Sequence, residues 1–184
     1  MIIVEMHNDR EVYSVLNNII KDALDATAGY VLGVIEYYIM HDVYGSGNIP
    51  YVYKRTNEFL NSWMKDIEDN NKYNEVIATI FSNPNLMSYD PETHTHGSYL
   101  SGDFREHMAE AIEEGLGYRY FPQIRSDGTK NPAGQPRPFF SDTVSELDRS
   151  GKLFSIFAKE MAARGLEINK KNNTIGYSLE NEMI

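Results

Sequence analysis

The stretch that decides the fold is Asn8–His41, NDREVYSVLNNIIKDALDATAGYVLGVIEYYIMH, in a chain of 184 residues. Its apolar side chains recur every three or four residues, which is the period of an amphipathic α-helix. The apolar stripe consists of Val12, Val15, Leu16, Ile19, Ile20, Ala23, Leu24, Ala28, Val31, Leu32, Ile35, Tyr38 and Ile39. Asn8 and Glu11 have the spacing of a capping box at its start. The pattern therefore predicts one long helix, which ends before the Gly45-Ser46-Gly47 turn. Glycines inside it, Gly29 and Gly33, indicate a kink or a close contact.

Two shorter segments in the middle of the chain also have defined patterns. Asn57–Met64 is predicted to be a short amphipathic helix with Phe59, Leu60 and Trp63 on one face. Glu75–Phe81 has the β-branched content of a strand. These segments add both a helix and a strand to the long helix before them.

The second half of the chain is predicted to be mainly helical. Asp103–Gly115 forms one helix, because an acidic residue fits its N-cap and a glycine fits its end. Pro138 suits the first turn of a C-terminal helix that continues to Ala163, with Gly151 as a division and Gly165 as the stop. The segment 166–179 is interpreted as a hairpin around a Lys-Lys-Asn-Asn turn.

These elements predict an α+β fold in one domain, 1–184, with a flexible tail from about 180 onward. Two long loops, at 82–102 and 121–136, are punctuated by proline and glycine. Loops of that length are usually functional or disordered. We therefore expect them to extend over neighbouring subunits of an assembly.

Composition narrows the classes of partner. The chain has 27 acidic and 17 basic residues, for a net charge of −10. Binding to phosphate depends on Lys and Arg, so sequence-independent binding to nucleic acid or to anionic membrane is disfavoured.

Cysteine is absent, which excludes disulfides, Cys-zinc sites and thiol nucleophiles. The amino terminus lacks the features of a signal peptide, so synthesis and assembly in a cytoplasm are expected.

Histidines and carboxylates provide the candidates for metal binding. His94 and His96 are alternate residues, which on a strand would present both imidazoles on one face to zinc or nickel. Their loop contains no third ligand at a diagnostic spacing, so a solvated polar loop is the simpler interpretation. A second group shares one helix face: Asp103, Glu106, His107 and Glu110. The helix dipole explains acidic residues near a helix start without a metal.

Motifs for catalysis are not found. The sequence has no Gly-x-Ser-x-Gly elbow, no phosphate-binding Gly-x-x-x-x-Gly-Lys-Ser/Thr loop and no Gly-x-Gly-x-x-Gly. We therefore expect a non-enzymatic protein with no catalytic residue, no cofactor and no metal. The alternative from another class is a metal-dependent hydrolase that uses His94 and His96.

Three stretches together resemble a known family. Tyr51–Trp63, YVYKRTNEFLNSW, resembles the Tyr, Arg-Thr-Gly, Leu, Ser motif of head–tail joining (neck, or tail-completion) proteins of tailed bacteriophages, with Asn57 in place of the usual Gly. Gly97–Arg105, GSYLSGDFR, is the second stretch. Arg137–Phe140, RPFF, is similar to the Arg-Pro-Phe element that precedes the last helix of those proteins. Their order and spacing cover most of the chain.

The resemblance implies that helices pack on a small antiparallel sheet and that copies assemble into a ring of about six subunits. The resemblance also implies that the ring lies at the neck of the virion. One face is then expected to meet portal-side adaptor or stopper proteins, and the other the tail terminator or tail tube. DNA is expected to pass through the ring without specific binding. A tail terminator or a head stopper is the alternative role within the same class.

Aromatic and arginine side chains usually dominate the contacts of protein interfaces. On that ground we expect the subunit and partner contacts to involve Tyr51, Tyr53, Arg55, Tyr99, Arg137, Phe139 and Phe140. For the Tyr and Phe residues the alternative is the core of the subunit. For the two arginines it is an ion pair with a carboxylate of the same subunit.

Overall fold

The computed structural model describes residues 9–45, 57–70, 75–87, 104–115, 128, 135–166 and 168. These form, in chain order, helix α1 (Asp9–Tyr38), a π-helical turn (Ile39–Tyr44), helix α2 (Glu58–Asn61), strands β1 (Trp63–Asn70) and β2 (Glu75–Ser82), 3-10 turns at Pro84–Leu86 and Phe104–His107, and helices α3 (Met108–Glu114), α4 (Phe139–Ser150) and α5 (Lys152–Ala163). The α+β class is confirmed, with a long N-terminal helix, C-terminal helices and a small antiparallel sheet.

Helix α1 is the element against which the others pack, since it contacts both strands, α4 and α5. The predicted long helix is confirmed, and its end before Gly45 has π-helical rather than α-helical geometry. Ile35, Ile39 and Val43 follow one another at intervals of four, and all three are buried. The apolar stripe of α1 therefore continues through the π-helical turn into the core.

Trp63 begins a strand, so the predicted helix Asn57–Met64 is wrong beyond its first turn. Ser62 fixes the change of direction: its Oγ donates to the carbonyl of Phe59 at 2.8 Å and lies 2.8 Å from Oγ of Ser82. Phe59 and Trp63 therefore do not share the face of one helix, but both side chains are buried and their rings lie 6.1 Å apart.

Asn57 precedes α2 with a φ of 59°. That left-handed conformation is adopted most readily by glycine and, among other residues, most easily by Asn and Asp. Asn57 is also the position at which the head–tail joining motif usually has glycine. The departure from the motif thus keeps the backbone conformation that a glycine there would allow.

Strands β1 and β2 form an antiparallel hairpin in which Trp63 lies opposite Ser82. The strand predicted at 75–81 is confirmed and extends by one residue. One face of the hairpin packs against α1, where Nζ of Lys65 lies 2.8 Å from the Asp25 carboxylate. This ion pair joins a strand of polar sequence to the central helix.

Gly151 separates α4 from α5 as predicted, with a φ of 59°. Helix α5 then runs antiparallel to α1. At its start, Nζ of Lys152 lies 5.9 Å from the centre of the Tyr30 ring. Just beyond its end, Nε of Arg164 lies 3.4 Å from the Asp22 carboxylate. The two contacts fix both ends of α5 on α1.

The helix predicted at Asp103–Gly115 is confirmed in its second part only. Phe104–His107 forms a 3-10 turn, and α3 follows it. Gly115 ends α3 as predicted, with a φ of 68° and its N–H donating to the carbonyl of Ala111. The predicted cap at Asn8, most of the 166–179 hairpin and the tail lie outside the described residues. Within those residues, none of the helices has the length and apolar character needed to cross a bilayer.

Candidate functional site

Phe139, the residue that begins α4, lies at the centre of the core with no exposed surface. Its ring meets those of Phe59 and Trp63 edge to face, at centroid distances of 5.6 and 5.8 Å. Aromatic pairs in this geometry stabilise beyond the area that they bury. Of the two roles open for Phe139, the structure shows the core. Phe140 is half-buried against the same cluster.

Glu113 of α3 caps the start of α4 from a different helix. Its carboxylate accepts hydrogen bonds from the backbone N–H groups of Phe140, at 2.9 Å, and Ser141, at 3.0 Å, and from the Ser141 hydroxyl. The first N–H groups of a helix have no partner within it, and negative charge is favourable there. The N–H of Arg137 donates to the carbonyl of Ile112 at 3.0 Å. Helix α3 therefore positions both Arg137 and the first turn of α4.

These contacts place Arg137 in the wall of a surface cavity of about 500 Å³. The cavity is lined by His41, Asp42, Gly45, Gln135, Pro136, Arg137 and Pro138. Nδ1 of His41 lies 2.6 Å from Oδ1 of Asp42. Oδ2 of Asp42 is buried and has no hydrogen-bond partner in the part of the chain that the structure describes. An unpaired buried carboxylate oxygen is unfavourable, so a donor group of a partner would be stabilised there.

Burial and two neighbouring carboxylates disfavour the ionised form of Asp142 next to this cavity. The pKa of Asp142, in the first turn of α4, is raised from its usual value. Burial is the main cause, followed by the negative charges of Asp42 and Glu113, while His41 acts in the opposite direction. Because the folded-state pKa is the higher one, ionisation of Asp142 opposes folding as the pH rises above the ordinary carboxyl pKa. A cation brought to the cavity by a partner would reduce this repulsion.

A second groove, of about 540 Å³, lies between α1 and α4 and is rich in tyrosine. Its lining is Gly29, Tyr30, Gly33, Val34, Tyr37, Tyr38, Glu146 and Arg149. Tyr37 is 62% exposed, and its ring stacks on that of His41 at 6.1 Å, so the groove adjoins the cavity. Burial, and then the charge of Glu146, raises the pKa of the Tyr38 hydroxyl. The kink or close contact predicted at Gly33 is wrong: α1 continues through it, and apart from the adjacent residues and backbone of α1 itself, no heavy atom of the described residues lies within 4 Å of a Cβ placed there.

The residues nominated from the sequence are only partly within the described chain. Arg137, Phe139 and Phe140 are described. The others lie outside the described residues: Tyr51, Tyr53, Arg55 and Tyr99 among the interface candidates, and His94, His96 and Asp103 among the metal candidates. His107 approaches Glu110 at 3.9 Å. Across the described ranges, no group of three or more His, Asp or Glu residues is placed to hold a metal ion.

Several residues of this surface were not nominated from the sequence. Asp42, Glu113 and Asp142 are brought together only by tertiary contacts, and nothing in their spacing indicates that they meet. Tyr37 lies beside the apolar stripe of α1. The high tyrosine content, 13 residues, was the one available signal, because tyrosine is common at interfaces.

Comparison with known families adds an independent finding. A family model with the description YomN matches residues 6–163. The chain belongs to the YomN family. YomN is the name of a Bacillus phage-derived protein, which suggests that the chain is phage-associated. The YomN match includes every element from α1 to the last residue of α5, and with them the cavity and the groove. No curated protein and no solved structure matches the chain significantly.

Proposed function

We propose that this YomN-family protein is a structural protein of a tailed-phage virion that forms a ring at the neck and joins the DNA-filled head to the tail. Membership of a phage-derived family over residues 6–163 is the observation that carries the proposal. The order of the three motifs, Tyr51–Trp63, Gly97–Arg105 and Arg137–Phe140, supports the more specific joining role. The protein acts by contact, without a catalytic step, a metal or a cofactor.

The conformation of Asn57 supports the same assignment from the structure. Asn57 stands where the motif usually has glycine, and it adopts the left-handed conformation that glycine favours, with a φ of 59°. This agrees with the alignment of Tyr51–Trp63 to the motif. Arg137 supports it as well, because this motif residue lies in the wall of a surface cavity.

A ring of identical subunits needs two different patches on each subunit. The cavity around Arg137 and the tyrosine groove supply one such surface. The net charge of −10 suits a ring around a DNA channel, since an acidic lumen repels the passing duplex over a distance of about 8–10 Å. Partners are other copies of the chain, adaptor or stopper proteins on the portal side, and the tail terminator or tail tube.

Deletion of the gene from the phage or prophage that carries it is expected to yield filled heads and complete but separate tails. The reason is that both parts assemble without the joint that connects them. Negative-stain electron microscopy of the lysate counts filled heads, separate tails and whole virions. As a control, expression of the protein from a plasmid should restore whole virions.

Other phenotypes of the deletion distinguish the alternatives. Heads that have lost their DNA would indicate a head stopper, and tails of irregular length would indicate a tail terminator. Normal numbers of infectious particles would overturn the proposal of a neck protein altogether.

A further inference from the structure

The hairpin of β1 and β2 has two unlike faces. Its inner face is held to α1 by ion pairs between Lys65 and Asp25, at 2.8 Å, and between Lys21 and Asp69. Side chains alternate along a strand, so the intervening residues lie on the opposite, outer face. This outer face contains eight residues, which pair across the two strands as follows: Met64 with Phe81, Asp66 with Thr79, Glu68 with Ile77, and Asn70 with Glu75. All of them except the half-buried Asn70 are exposed.

Three apolar side chains lie exposed on the outer face. Met64 and Phe81 are direct cross-strand partners and are each 39% exposed. Ile77, further along β2 on the same face, is 42% exposed. An antiparallel sheet with one face in water normally places polar residues on that face. Grouped apolar residues in such a position are typical of a contact surface.

Three acidic side chains share the outer face with them. Asp66 and Glu68 follow Met64 along β1, and Glu75 begins β2. The outer face has no Lys, Arg or His, while the lysines of the inner contact are already paired with carboxylates. Apolar and acidic side chains therefore lie directly beside one another on the outer face: Asp66 follows Met64 along β1, and Glu68 lies opposite Ile77.

We infer that this outer face is a docking surface for a basic segment of a different protein, one in which Lys or Arg residues flank apolar side chains. The apolar side chains of the segment cover Phe81 and Ile77, and its cations meet Asp66 and Glu68. Charge selects this occupant over a second copy of the same face, because two copies would bring like carboxylates together. The partner is identified as a neighbouring virion protein on the basis of the proposed function. The binding of a basic segment to this face does not depend on it.

The test uses the purified full chain and a synthetic probe, an alternating Lys-Val peptide of about eight residues, the length of one strand. The matching Glu-Val peptide is the control probe. A titration followed by ¹H–¹⁵N correlation spectra is expected to shift amide signals of residues 63–82 with the Lys-Val peptide and not with the Glu-Val peptide. Raising NaCl to about 0.5 M is expected to weaken binding, because salt screens exposed charges.

Two variants test the acidic and the apolar side chains separately. One carries Asp66→Asn with Glu68→Gln, and the other carries Ile77→Ser alone. Each is expected to weaken binding of the Lys-Val peptide by about fivefold or more. Matched controls are Asp148→Asn on an exposed site of α4 and Met40→Ser at a residue that is 50% exposed; both are expected to bind as the parent does. All five substitutions alter exposed side chains, so the thermal unfolding midpoint of each of the four variants should stay within about 2 °C of the parent.

Four results would each overturn the inference. Signals that shift mainly outside the hairpin would place the binding elsewhere. Equal binding of the Glu-Val peptide would show that the charge of the segment does not matter. Unchanged binding of the Lys-Val peptide to the Asp66→Asn, Glu68→Gln variant would show that these carboxylates do not contribute. Self-association that is abolished by Ile77→Ser in analytical ultracentrifugation would make a second copy the occupant. A failed neck phenotype with intact peptide binding would overturn the proposed function and leave this surface in place.

Discussion

Phe139→Ala is expected to lower the free energy of unfolding by about 3–5 kcal/mol, the range found when a buried Phe is truncated. The side chain is fully buried, and two aromatic rings lie on it edge to face. Removing it leaves a cavity that three different elements would have to close. Urea unfolding measures the effect through the fluorescence of Trp63, the chain's only tryptophan, whose ring lies 5.8 Å from that of Phe139.

Phe140→Ala is the matched control. It removes the same number of atoms from the next residue, which is only half-buried. Its effect should be less than half as large, since less apolar area returns to water. Phe139 would not be at the centre of the core if both variants lowered the free energy of unfolding by similar amounts. The same would follow if Phe139→Ala lowered it by less than about 1 kcal/mol.

Glu113→Ala is expected to cost about 2 kcal/mol, within the range for lost helix caps and for hydrogen bonds to charged groups. The substitution leaves the N–H groups of Phe140 and Ser141 without the carboxylate that accepts from them at 2.9 and 3.0 Å. It also frees the start of α4 from α3. The measurements are urea unfolding and hydrogen exchange at those two amides, which should become faster than in the parent protein.

Glu110→Ala controls for the loss of a carboxylate from α3, because Glu110 is exposed and its carboxylate lies 3.9 Å from the His107 ring. Glu113→Gln keeps one acceptor oxygen without the charge and should lie between Glu113→Ala and the parent. Unchanged exchange at Phe140 and Ser141 in Glu113→Ala would show that the cap does not hold the helix start.

The elements that were predicted correctly are those whose signals are local. Helix α1 has an apolar stripe that repeats over many turns, so its period identifies it without knowledge of its neighbours. Gly115 and Gly151 adopt φ values of 68° and 59°, which glycine adopts more readily than any other residue, so glycines at these positions indicate helix ends. Strand β2 contains β-branched residues at most of its apolar positions and was predicted for that reason.

Strand β1 was missed because its stability comes from elsewhere in the chain. Phe59, Leu60 and Trp63 have a spacing that fits a helix, and the residues after Trp63 are mostly polar. What makes them a strand is pairing with β2 and the ion pair from Lys65 to Asp25, 40 residues away along the sequence. Local propensity does not include such contacts.

The candidate site was predicted only through its motif. Arg137 was nominated from the Arg-Pro-Phe-Phe stretch, and it lines the cavity. Glu113, which caps α4, is 27 residues from Phe140, and no helix-start signature spans such a distance. Phe139 illustrates a different limit: residue type suits both an interface and a core, and only burial distinguishes them.

Cryo-electron microscopy of mature particles of the phage that encodes this chain is the most direct test of the neck assignment. The account predicts ring density between portal and tail, with α1, the hairpin, α4 and α5 fitting each subunit of the ring. Neck density that is accounted for entirely by other proteins, in particles whose peptides include none from this chain by mass spectrometry, would contradict it.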